Sequence, residues 1–80
     1  MADKTETTRT MSREEFADYL RMLADGFDGD GEMAVSVENK SVTLHPPNEV
    51  TTDVEVVERS SILRGDRESI GIDAHWKSTE

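Results

Sequence analysis

Few residues in this sequence could do chemistry, and their spacing argues against most of it. There is no cysteine, which excludes disulfides, thiolate zinc sites and cysteine nucleophiles. His45 and His75 are the only histidines. Both fall on the outward phase of strands that a simple meander does not place side by side, and zinc wants three or four closely spaced donors. They read as surface histidines. Asp28-Gly29-Asp30-Gly31-Glu32 offers alternating carboxylates, the donor set of a hard cation such as calcium. A calcium loop of the EF-hand type needs glycine at its sixth position and a bidentate acid at its twelfth. Counting from Asp28, those positions hold Met33 and Asn39. A solvated acidic turn is the preferred reading, with Asp28, Asp30 and Glu32 as the alternative cation site. Arg64-Gly65-Asp66 spells an adhesion tripeptide, but its glycine suits a hairpin turn that needs positive φ. No Ser/His/Asp set, Lys/Glu pair or paired carboxylates is enclosed by apolar residues, and no glycine-rich phosphate loop is present. The expectation is a protein without catalytic residues, resident metal or cofactor.

The elements that would position these residues follow from capping signals and hydrophobic period. Ser12 and Glu15 form a capping box, with Met11 and Phe16 placed for a hydrophobic staple. Phe16, Leu20, Leu23 and Phe27 recur at helical spacing, flanked by Tyr19 and Ala24. Gly26 or Gly29 would end the helix as a left-handed cap. Beyond Gly31 the period becomes two. Met33, Val35 and Val37 make one run, and Val42 and Leu44 a second after a tight turn at Asn39-Lys40. Pro46-Pro47 stops that strand. Val50, Thr52, Val54 and Val56 make the third run; Ile70, Ile72, Ala74 and Trp76 make the last. This order predicts an α+β fold: an N-terminal amphipathic helix packed on one face of a four-stranded antiparallel β-meander, in two layers. Residues 1–10 read as a disordered tail, 11–77 as one domain and 78–80 as a C-terminal tail. Trp76, in phase with Ile70, Ile72 and Ala74, is expected to clamp the core against the helix.

Eighteen Asp and Glu oppose nine Lys and Arg, a net charge of -9, and only Lys4, Lys40 and Lys77 are lysine. That field repels phosphate backbones, so no nucleic-acid partner is expected despite the short basic stretch of Arg59, Arg64 and Arg67. Self-repulsion of this size is relieved at molar salt, where the screening length falls to about 3 Å. An acidic, lysine-poor chain of this kind suits a halophilic, salt-loaded cytoplasm. The N-terminus lacks the apolar run of a signal peptide, and no stretch nears the roughly 20 apolar residues of a membrane span. The expected location is cytoplasmic, with no membrane partner.

In Pro46-Pro47-Asn48-Glu49-Val50, and in the alternating strand Ile70-Gly71-Ile72-Asp73-Ala74-His75-Trp76-Lys77, the chain resembles the amphi-Trp domain family. These are small stand-alone proteins frequent in halophilic archaea. The likeness covers roughly residues 11–77 and departs from the family's pattern at Ser69–Ile72 and at Ser60–Leu63. It implies the fold and a salt-rich source, and it carries no activity with it.

Val57, Ile62 and Leu63 do not share the phase of the core face. Either a β-bulge redirects them inward, or they form an apolar patch at the end or edge of the sheet where another chain adds. The second reading makes Val57, Ile62 and Leu63 a protein interface. It predicts an interaction module without enzymatic activity, forming a homodimer or binding another protein.

Overall fold

A computed structural model describes residues 4–77. The first three positions of the expected N-terminal tail, and all of the expected 78–80 tail, lie outside the described residues. The chain forms two compact units, Met1–Pro46 and Pro47–Glu80. The fold is α+β: one helix, α1 (Arg13–Asp28), then four strands, β1 (Met33–Val37), β2 (Lys40–Leu44), β3 (Thr51–Arg59) and β4 (Arg67–His75).

In the first unit, residues 4–11 carry no helix or strand. Thr7 Oγ1 nonetheless donates to Glu38 Oε1 at 2.7 Å, holding this segment to the β1–β2 turn. Helix α1 begins as its sequence dictates. Ser12 Oγ accepts from the Glu15 N–H, and Glu15 Oε1 accepts from the Ser12 N–H, each at 3.0 Å. At the far end Gly29, not Gly26, is the cap. It lies in extended conformation rather than the left-handed one expected, its N–H donating to the Gly26 carbonyl at 3.3 Å.

Strands β1 and β2 pair antiparallel from Met33↔Leu44 to Val37↔Lys40. The turn is therefore Glu38-Asn39, one residue earlier than Asn39-Lys40, with Glu38 at a positive φ of 56°. Helix α1 packs on β1. Met33, 4 % exposed, is the only buried hydrophobic residue among those described. It sits under Gly26: a Cβ there would stand 2.8 Å from Met33 Cε and 3.2 Å from its Cβ. Tyr19 adds a second tie, its hydroxyl donating to the Ser36 carbonyl at 3.1 Å. The half-buried positions of α1 are Ala17, Tyr19, Leu23 and Gly26. Of the expected stripe, Leu23 is half-buried while Phe16, Leu20 and Phe27 stay 40–51 % exposed.

In the second unit, β3 and β4 pair antiparallel in nine successive pairs from Thr51↔His75 to Arg59↔Arg67. No residue is skipped, which rules out the bulge considered for Val57. The connection is closed by Ser61, whose carbonyl accepts from Gly65 N–H and whose hydroxyl accepts from Arg64 N–H, both at 3.1 Å. Gly65 has φ 79°, the positive value the Arg64-Gly65-Asp66 turn requires. Strand β4 starts at Arg67, earlier than the alternation from Ile70 suggested, and ends at His75, one residue before Trp76.

The hydrogen-bonded ladders form two two-stranded sheets, β1–β2 and β3–β4, where the sequence placed all four strands in one meander. Pro46 and Pro47 lack N–H donors, so the connection between the hairpins cannot carry a ladder through them.

Candidate functional site

Alternation along β3 and β4 sorts the second hairpin into two unlike faces. Thr52, Val54, Val56 and Glu58 share one face with their partners Ala74, Ile72, Ile70 and Glu68. At its centre the cross-strand pairs Val54↔Ile72 and Val56↔Ile70 form an aliphatic patch, all four side chains 65–72 % exposed. Residues of this type and pattern are expected to be inside. Here they make a contiguous exposed surface on a two-stranded ribbon, which by itself is only marginally stable in water.

The other face carries charge at both ends. Asp53 pairs with Asp73 at one end and Arg59 with Arg67 at the other. Like charges directly opposite one another weaken a ladder. Glu58↔Glu68, on the aliphatic face, is a third such pair. The register therefore brings like charges together repeatedly within one hairpin.

The predicted interface residues occupy different parts of the hairpin's backbone, one in a strand and two in the connection. Val57 is half-buried in β3, opposite Ser69 on the charged face. Ile62 and Leu63 lie in the β3–β4 connection, fully exposed. The inward reading of these two is thus excluded. The aliphatic residues expected in the core, Val54, Val56, Ile70 and Ile72, are exposed as well. Their signal was present as the period-two pattern, which identifies an apolar face without saying what covers it.

Trp76 is half-buried. It lines a concavity of about 750 Å³ with Pro47, Glu49, Thr51, His75 and Lys77, at the open end of the hairpin.

The potential metal ligands are placed differently from their sequence reading. Asp28, Asp30 and Glu32 are all exposed and do not converge into a three-donor group. Glu32 instead approaches His45, Oε2 to Nε2 at 3.6 Å. The one three-donor group among the described residues is Asp53, Asp73 and His75, with ligand atoms within 4.8 Å of one another. Asp73 Oδ2 accepts from His75 Nδ1 at 2.7 Å. All three side chains are exposed. At the capping box, backbone and hydroxyl hydrogen bonds from Ser12, with a lesser contribution from Arg9, hold the Glu15 carboxyl below its usual pKa.

Among the described residues no helix is long and apolar enough to cross a membrane. No curated protein and no solved structure matches the chain. The sequence pattern of the Amphi-Trp domain matches residues 1–80, and with the helix, the hairpins and the alternating strand before Trp76 in place, the chain belongs to the Amphi-Trp domain family.

Proposed function

We propose that this chain is a non-enzymatic interaction module that homodimerises through the β3–β4 hairpin in a salt-rich cytoplasm. The observation that carries this is the open aliphatic face of Val54, Val56, Ile70 and Ile72 on a ribbon of only two strands. Leaving that surface in water forgoes roughly 25 cal/mol for each Å² that burial would recover. A partner strand recovers part of it through cross-strand contacts at the seam and adds strands to the ribbon.

A second copy is favoured over an unrelated partner by charge. The two Arg and two Asp within strands β3 and β4 lie at opposite ends of one face. Turned end for end, the same array presents Asp where Arg is needed and Arg where Asp is needed, which is the condition for an isologous two-fold contact. Sedimentation equilibrium from low to molar potassium chloride tests the reading. A dimer mass at high micromolar protein in molar salt is expected. A strict monomer there overturns it.

A further inference from the structure

We propose that two copies join edge to edge through β4, running antiparallel about Ile70, so that Arg67 of each copy faces Asp73 of the other and the two hairpins become one four-stranded sheet. This rests on the homodimer reading and specifies its edge, register and charge pairs.

In the order β3–β4, each strand has one edge unpaired, a row of donors and acceptors open to another chain. Antiparallel self-pairing about residue 70 sets Arg67 against Asp73, Glu68 against Ile72, Ser69 against Gly71, and Ile70 against its own counterpart. Each opposed pair then shares a face. The aliphatic face continues across the seam, and so does the charged one.

Neighbouring registers lose the charge match. Centred on Gly71, Arg67 would oppose His75 and Asp73 would oppose Ser69; centred on Ile72, Asp73 would oppose Gly71. Only the register about Ile70 gives both ends an opposite charge. It also answers the mismatch inside each hairpin. Asp73, which faces Asp53 within its own chain, gains an arginine on its other side, and Arg67, which faces Arg59, gains a carboxylate. The two ends are six residues apart along β4, about 20 Å at strand rise, so Arg67 and Asp73 of one chain cannot satisfy each other.

The β3 edge is the poorer choice. A centre at Val56 would match Asp53 with Arg59, but each β3 carries Asp53, Glu55 and Glu58 against one arginine. Each β4 carries Glu68 and Asp73 against Arg67. Two β4 edges bring less uncompensated negative charge together in a chain already at -9.

The test is sedimentation equilibrium on the full chain, at matched ionic strength, for wild type, Arg67→Asp, Asp73→Arg and the double variant. Each single substitution sets like charges opposite at two symmetry-related places and should weaken the dimer about tenfold or more. The double variant restores opposite charges and should return to within about threefold of wild type. Two simpler explanations predict otherwise. Net charge becomes more negative in Arg67→Asp and less negative in Asp73→Arg, so a net-charge effect would move the two in opposite directions. Loss of folding is separated by circular dichroism, because Arg67→Asp places a carboxylate opposite Arg59 and should leave the hairpin intact. A dimer of equal strength in all four chains overturns the β4 register while leaving the homodimer standing. A wild-type monomer at every salt concentration overturns both.

Discussion

Met33 packs directly against Gly26: a Cβ at position 26 would stand 2.8 Å from Met33 Cε and 3.2 Å from Met33 Cβ, so any side chain there requires Met33 to shift. A glycine inside a helix costs about 1 kcal/mol relative to alanine, and here that cost lets α1 settle onto the one buried side chain described. Met33→Ala should therefore lower stability by about 2–5 kcal/mol, the range for emptying a buried methionine site. Gly26→Leu should destabilise by overpacking, about 1–3 kcal/mol, despite leucine's better helix propensity. Urea denaturation followed by circular dichroism checks both. A stabilised Gly26→Leu would mean the contact does not hold the helix.

The capping box makes a separate, pH-dependent contribution. The Ser12 backbone and hydroxyl hydrogen bonds lower the Glu15 pKa in the folded state. A depressed carboxylate pKa stabilises above the unfolded value, and that stabilisation is lost as pH falls through the folded value. Helix signal should thus decline in acid as Glu15 protonates, and Glu15→Gln should remove the part of the decline that belongs to this group. Ser12→Ala should cost about 1 kcal/mol at neutral pH and shift the Glu15 titration upward, measurable by carboxyl NMR.

The helix start was legible because capping is local: Ser12 and Glu15 are three residues apart and satisfy each other whatever the rest of the chain does. The strands were legible for a similar reason, since period two needs only neighbouring residues. What escaped depends on contacts made at a distance. Hydropathy marked Phe16, Leu20, Leu23 and Phe27 as the packed stripe, yet the helix meets β1 near Gly26, a residue with no side chain for hydropathy to count. The turn moved to Glu38-Asn39 because pairing Val37 with Lys40 sets the register, and Glu38 accepts a positive φ for it. Val54, Val56, Ile70 and Ile72 announced an apolar face correctly, but alternation is silent about what lies over that face. Asp53 joins Asp73 and His75 only through the β3–β4 register, which no spacing in the sequence displays.

The aliphatic face supplies a prediction that separates association from folding. Ile72 is exposed within the single chain, so Ile72→Thr should change monomer stability little, by about 0.5 kcal/mol. At the proposed seam Ile72 of each copy lies opposite Glu68 and diagonal to Ile70 of the other, so the lost cross-strand contact is felt twice and should weaken association by roughly tenfold. Dilution series read by sedimentation give the second quantity, and denaturation at the lowest workable concentration the first. Equal dissociation constants for wild type and Ile72→Thr would remove the aliphatic face from the interface.

Salt should stabilise this chain, and part of that effect should be traceable to one pair. At -9 the compact state is under general self-repulsion, which weakens as the screening length falls from about 30 Å at 0.01 M to about 3 Å at 1 M. The denaturation midpoint is therefore expected to rise with potassium chloride. Asp53 and Asp73, directly opposed in the ladder, are a local source of the same repulsion. Asp53→Asn removes it while keeping the 2.7 Å contact between Asp73 and His75. That variant should gain about 0.5 kcal/mol at low salt and show a flatter salt dependence than wild type. Parallel midpoint curves for the two proteins would assign the salt response to net charge alone, and a flat wild-type curve would remove the case for a salt-rich setting.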